Sequence, residues 1–208
     1  MKQSTEKFYR KVELHRKIVA RLNYNPYQDF ISGLILSSLI KEDNWPLIPK
    51  REEVNVIGPW HYSGEPDGYN IVADSALKNF KGRADMIVSD LDGPIEKIIQ
   101  NENAIKVIHA HGDNIDKMIE FVPLIKGIVL GTTQSIPFEP VKNIGGFTDG
   151  DRAIIMGKIM GAKIVKVYGF NWDDPVDEPR EIKRRKMLIG KEIIEKLTNI
   201  KIVYVNEE

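Results

Sequence analysis

The stretch Met86-Ile87-Val88-Ser89-Asp90-Leu91-Asp92-Gly93 sets how the whole chain reads. A short apolar run stops at two carboxylates one residue apart, and Pro94 follows Gly93. Apolar residues bounded by turn formers in this way predict a buried strand. Asp90 and Asp92 then stand where that strand gives way to a loop. In an open α/β sheet this carboxyl edge is where ligands bind. Two carboxylates so close repel unless a proton or a cation lies between them. Mg2+ is the economical cation, a hard ion that takes oxygen ligands and brings phosphates with it. The plainer alternative is an Asp-Gly-Pro turn in which one Asp caps the next helix.

Outward from this stretch the same pattern recurs. Apolar runs near 54–57, 70–73, 86–89, 105–108, 127–130, 163–168 and 201–204 read as strands. Helical patterns fall near 75–81, 94–102, 114–120, 150–160 and 179–198. The alternation predicts an α/β fold, a mainly parallel sheet with helices on both faces. Upstream, residues 5–22 carry a helical stripe of Phe8, Val12, Val19 and Leu22. Pro26 opens a second helix whose apolar face is expected to hold Tyr27, Phe30, Ile31, Leu34, Ile35 and Leu39. Pro46 to Glu53 reads as a linker. Residues 1–50 are therefore expected to form a small N-terminal helical cap or arm, and residues 51–208 an α/β catalytic domain.

Composition narrows the function. With 208 residues, 42% of them hydrophobic, the chain can bury a substantial core without staples. Lys+Arg and Asp+Glu both number 30, so there is no global basic field to favour nucleic acid. There is no cysteine, which excludes disulfides, thiolate zinc sites and a cysteine nucleophile. The charged N-terminus lacks the apolar core of a signal peptide. No run approaches the roughly 20 apolar residues of a membrane span. The expectation is a cytoplasmic protein acting on small molecules, with neither nucleic acid nor membrane as partner. The oligomeric state is open, a homodimer included.

Almost every expected strand ends in a polar or glycine-bearing cluster. These are Gly58-Pro59, Asp74-Ser75, Asp90 to Gly93, His109 to Asn114, Gly131-Thr132-Thr133-Gln134, and Gly169-Phe170-Asn171-Trp172-Asp173-Asp174. A parallel sheet would gather all six on one edge, and together they look like a site. Gly58, Pro59, Asp74, Ser75, His109, His111, Asn114, Thr132, Thr133, Gln134 and Asn171 are thus candidates for binding substrate and nucleotide. Asp113, one strand beyond Asp90 and Asp92, could complete a three-carboxylate metal face suited to phosphoryl transfer. Its alternative, shared with Asn114, is a helix cap. His109 and His111 are alternate residues that point the same way in an extended segment. They lack a zinc partner set, and their functional reading is hydrogen bonding to substrate or phosphate.

Gly145-Gly146-Phe147-Thr148-Asp149-Gly150-Asp151-Arg152-Ala153 opens a further helix. Its glycines permit close backbone approach, and a helix N-terminus attracts anions. Thr148, Asp149 and Asp151 are also good caps, and Arg152 could pair with phosphate or with a carboxylate. The stretch is neither a Walker A loop nor a dinucleotide fingerprint. Lys183, Arg184, Arg185, Lys186 and Lys191 make the last helix basic on one side. Such a run is ordinarily a solvated face, with a triphosphate clamp as the alternative.

Taken in series, Val88-Ser89-Asp90-Leu91-Asp92-Gly93, His109-Ala110-His111-Gly112-Asp113-Asn114, Gly131-Thr132-Thr133-Gln134 and Gly146 to Ala153 resemble the archaeal 6-hydroxymethyl-7,8-dihydropterin pyrophosphokinases. The resemblance covers roughly Val54 to Tyr204. It implies a fold related to the catalytic domain of thiamine pyrophosphokinase. It also implies Mg2+-dependent transfer of pyrophosphate from ATP to the pterin's hydroxymethyl group, with release of AMP. The pathway would be folate- or methanopterin-type cofactor biosynthesis. By the same resemblance Asp90, Asp92 and Asp113 would hold metal, and Asp149 and Asp151 would contact substrate or a second metal. Asp90, Asp92, Asp149 and Asp151 would then be the catalytic set, with Thr148 and Arg152 beside the substrates. Two positions depart from the family's pattern: Ser75 where Asp-Gly-Ala is expected, and Trp60 where Gly-Pro-Ser is more usual. Competing readings are a haloacid-dehalogenase-type phosphatase with Asp90 as nucleophile, a thiamine pyrophosphokinase, and a binding protein without turnover. Against the phosphatase, Pro94 stands where its D-x-D-G-T motif has threonine.

Overall fold

Seven strands form one sheet in which every neighbouring pair runs parallel. They are β1 (Glu53–Ile57), β2 (Asn70–Ala73), β3 (Met86–Ser89), β4 (Ile105–Ala110), β5 (Val129–Thr133), β6 (Ile164–Tyr168) and β7 (Lys201–Val205). The computed structural model describes residues 25–62, 66–172, 180–197 and 199–205. The helix expected over 5–22 lies outside the described residues. The strand order is β5-β4-β3-β2-β1-β6-β7. The chain walks one way from β1 to β5, then returns to lay β6 on the far side of β1. That reversal places a topological switch point between β1 and β6, where ligands of such sheets bind.

Parallel strands are covered on both faces, which is why these read as apolar runs rather than alternating ones. All four residues of β2 and of β3 are buried. Successive side chains serve opposite faces. Val54, Val56, Ile71, Met86, Val88 and Val107 belong to one core, and Ile57, Val72, Ile87 and Ile108 to the other. The first core is covered by α4 (Asp149–Ile159), which packs across β1, β2 and β3, and by α5 (Arg180–Glu195) behind it. The second contains residues of α1 (Pro26–Leu39), α2 (Ile95–Gln100) and α3 (Ile115–Phe121). The helix expected over 75–81 is a 3-10 turn, Asp74–Lys78.

Asn25 starts α1 by accepting the amide of Tyr27, and Pro26 fills the first helical position. The face that α1 buries is not the apolar one expected. Asp29, Ser32, Gly33 and Leu36 point inward, while Tyr27 and Leu34 stay exposed. The helix sits too close to β5 for a bulkier stripe. A Cβ on Gly33 would lie 3.1 Å from the Thr133 hydroxyl. Asp29 then accepts the Gly112 amide at 2.9 Å and the Gln134 side-chain amide at 3.0 Å, tying α1 to the loops after β4 and β5.

Candidate active site

Four carboxylates from three places in the chain meet at the carboxyl edge. Asp74 follows β2, Asp90 and Asp92 follow β3, and Asp149 begins α4. One oxygen from each lies within 4.8 Å of one from every other. Neighbouring parallel strands β2 and β3 deliver the first three, and the long return to α4 brings the fourth from the covering layer.

The local backbone explains how both Asp90 and Asp92 reach the site. Leu91 between them has φ 67, the left-handed region that a branched residue enters at a cost of about 1–2 kcal/mol. Its side chain is fully buried in the second core, and its amide donates to the Ser89 hydroxyl at 2.8 Å. Burial of leucine outweighs the strain and holds the turn. Asp92 in turn donates its amide to Asp90 Oδ1 at 3.2 Å. Gly93 donates its amide to Asp74 Oδ2 at 3.0 Å, and a Cβ there would come within 2.3 Å of Asp74 Oδ1. Only glycine lets the two loops approach so closely.

Electrostatics in the cluster is uneven. Burial, reinforced by the charges of Asp90 and Asp92, pushes the Asp74 carboxyl up to about 7. Burial and the Asp90 charge also raise Asp92, and they raise Asp149 well above the usual range despite the nearby Arg152. Asp90 goes the other way. Burial would raise it, but the hydrogen bond and electrostatic pull of His111, with Arg152 beyond, hold it below the usual carboxylate range. His111 Nδ1 accepts the Asp113 amide at 3.4 Å, so Nε2 carries the proton directed at Asp90 Oδ2, 3.2 Å away.

The carboxylates open onto a cleft of about 870 Å3, counted with its solvent mouth. Pro59 and Trp60 come from the loop after β1, and Phe170, Asn171 and Trp172 from the loop after β6, the two sides of the switch point. Lys183 and Lys186 of α5 line the cleft too. Two members of the basic run thus face the site, and the Lys183 charge pulls on Asp92. Ser75 and Thr148 also line it.

Most of the other residues singled out from the sequence serve inside the protein. Asp113 stands outside the four-carboxylate set, exposed on the 3-10 turn Gly112–Asn114. Asp151 is fully buried as half of a capping box, accepting the amides of Phe147 at 2.8 Å and Thr148 at 2.7 Å. Asn114 donates its amide to the carbonyls of Asp90 and His109, both at 2.7 Å, and accepts the His111 amide, so it cross-ties two loops. Thr132 is buried beside His109, hydroxyl to Nδ1 at 3.0 Å, and burial holds the His109 imidazole well below its usual value. Thr133 accepts the Ser135 amide and is likewise buried. Gln134 is spent on Asp29. Gly58 is buried, its amide bonded to the Tyr168 carbonyl at 2.8 Å. Arg152, 2% exposed, donates to Asp149 and to the Phe147 carbonyl, each at 3.2 Å. Asp29, Trp60 and Trp172 were not named as site residues; Trp60 stood out only as a departure from the family's pattern, and Trp172 only as a member of the cluster after the sixth expected strand.

The fold is a wholly parallel α/β sheet whose carboxyl edge gathers an acidic cluster, a donor set that could hold a metal ion, beside two lysines. No protein-family model matches the chain. Among curated proteins it is 34% identical to the 6-hydroxymethyl-7,8-dihydropterin pyrophosphokinase of Pyrococcus furiosus, over 89% of this chain and 91% of that one. It is 44% identical to the Methanothermobacter thermautotrophicus enzyme of that name over 50% of this chain and 45% of the relative, and 36% identical to the Methanocaldococcus jannaschii enzyme over 60% of each. The chain belongs to the 6-hydroxymethyl-7,8-dihydropterin pyrophosphokinase family. It is an enzyme of the diphosphotransferase type.

Proposed function

We propose that this chain transfers the pyrophosphoryl group of ATP to the hydroxymethyl oxygen of 6-hydroxymethyl-7,8-dihydropterin and releases AMP. Mg2+ would be held by Asp74, Asp90, Asp92 and Asp149. The observation that carries this reading is the convergence of the four carboxylates on a cleft whose other walls are aromatic and cationic. The substrates are taken from the names of the relatives. The donor set suits a hard divalent ion, since every ligand is a carboxylate oxygen. Asp74 Oδ1, buried and without a hydrogen bond among the described residues, is the kind of acceptor a cation would satisfy. The bound ion would offset negative charge on the phosphates during transfer.

The chain's own residues do the rest. Lys183 and Lys186 face the carboxylates and suit the remaining phosphate charge. Trp60, Phe170 and Trp172 offer apolar surface to a planar ring and keep water from the reacting groups. His111 holds Asp90 ionised and oriented. In the reaction the alcohol oxygen bonds to the β-phosphorus. The bond from that phosphorus to the oxygen bridging it to the α-phosphate breaks, AMP leaves with that oxygen, and the alcohol proton passes to a base. Alignment and charge neutralisation are the main needs of such a step. The setting would be cofactor biosynthesis in the cytoplasm.

The test is chromatography of nucleotides after incubation with ATP, Mg2+ and the pterin alcohol. AMP should appear one for one with pyrophosphorylated pterin. ADP would make the protein an ordinary kinase. Inorganic phosphate with a phosphoenzyme trapped on Asp90 would make it a phosphatase, and no product would make it a binding protein. Thiamine in place of the pterin should yield no AMP.

A further inference from the structure

Beside the catalytic cleft lies a second, more polar pocket of about 500 Å3, between the start of α1, the turn after β4 and α5. Asn25, Gln28, His111, Asp113, Gln134 and Arg152 line it and do not line the cleft. Asp90, Phe147 and Lys186 line both. The two cavities therefore meet at Asp90, one corner of the carboxylate cluster.

A pyrophosphokinase must hold two heterocycles with the reacting atoms between them. The cleft has all four carboxylates, both lysines and the aromatic wall, which suits a purine nucleoside triphosphate. The polar pocket has a different character. Asp113, an exposed residue, lines it together with Asn25 and Gln28, whose side chains carry amides. Arg152 lines it as well, almost fully buried, with an Nε–H that has no acceptor among the described residues. A 2-amino-4-oxopyrimidine ring presents a ring N–H and an exocyclic amine side by side. Such paired donors match one carboxylate as a guanidinium does. The ring's carbonyl and imine nitrogens are acceptors for amide and guanidinium N–H groups.

We infer that this polar pocket is the acceptor subsite, which takes the aminopyrimidinone end of a pterin-class alcohol on Asp113 while the aromatic cleft takes the nucleotide. The inference rests on the function proposed above. It gives Asp113 a part in choosing the substrate, away from the metal. It also points the hydroxymethyl group at Asp90, where the two cavities join.

Steady-state kinetics of three variants tests it. Wild-type AMP formation is measured first, and its absence would defeat the functional reading itself before any variant is made. Given that activity, Asp113→Ala should raise the KM for the pterin at least tenfold. Its KM for ATP and its midpoint for Mg2+ activation should stay within twofold. Gln28→Leu, on the exposed start of α1, should act in the same direction and carries the test if Asp113→Ala melts early. Trp60→Ala should raise the KM for ATP and leave that for the pterin. A pterin alcohol lacking the exocyclic amine should bind wild type and Asp113→Ala alike. A shifted Mg2+ midpoint in Asp113→Ala would return that residue to the metal. A raised KM for ATP alone would reverse the two cavities, and no change in any constant would remove the pocket from the site.

Discussion

Replacing Asp74 by Asn should stabilise the metal-free protein while abolishing its turnover. Asp74 is 1% exposed, and burial with the charges of Asp90 and Asp92 moves its carboxyl from 3.8 up to about 7. Because the folded value is raised, ionising the group opposes folding. The cost is absent below about pH 4, grows from there to about pH 7, and is constant above. A shift of about 3 units corresponds to about 4 kcal/mol. At pH 8 that is roughly 8–16 °C of melting temperature for a chain of this length. At pH 5 the cost is about 2 kcal/mol by the same conversion, so the gain should halve. Asparagine keeps an oxygen for the Gly93 amide and turns an N–H toward the neighbouring carboxylates, replacing repulsion by donation. The assay is a pair of thermal melts in EDTA at pH 8 and pH 5, beside AMP release with Mg2+. A variant that melts below wild type at pH 8, a gain that does not shrink by pH 5, or retained turnover would refute the reasoning.

Three further outcomes follow from the same geometry. Gly93→Ala should lower turnover a hundredfold or more and raise the Mg2+ midpoint, because the added Cβ meets Asp74 Oδ1 at 2.3 Å; its stability cost, seen in urea unfolding, should be about 1–3 kcal/mol. Leu91→Gly should destabilise despite relieving a left-handed residue, since about 1–2 kcal/mol of relief cannot offset 2–5 kcal/mol of lost burial, order-of-magnitude figures that equilibrium unfolding can check. Lys186→Ala should raise the KM for ATP by about tenfold, the scale of one hydrogen bond to a charged group, with the melt unchanged.

The sheet was legible because a strand covered on both faces must be apolar throughout, and all seven runs became strands. The position of Asp90 and Asp92 followed from where one such run ended. Which other carboxylate joins them did not follow. Asp74 and Asp113 stand after β2 and β4, on either side of β3, and strand order alone makes them equivalent. They are separated by hydrogen bonds that no spacing announces. Asp74 is pinned inward by the Gly93 amide, whereas the capping box of His111 and Asn114 turns Asp113 out of the cluster. At the start of α4, Asp149 and Asp151 are both good helix-starting residues. Thr148 is the N-cap, and Asp151 completes its capping box by accepting the Thr148 amide, which leaves Asp149 to face the site. On α1, hydrophobicity misled, because a close helix-to-sheet approach selects small residues over large apolar ones.

The spread of the four carboxylates along the chain, from residue 74 to residue 149, has a bearing on how the protein is made. A nascent chain that has left the ribosome only as far as β3 exposes Asp74, Asp90 and Asp92 without the helix that brings the fourth. Closing so long a span carries a larger entropy cost than pairing β2 with β3, which are close in sequence. On the proposed function, capture of a divalent ion by all four carboxylates would report that β2, β3 and α4 have docked. Adding the ion during refolding should hold the finished state in place rather than hasten its formation.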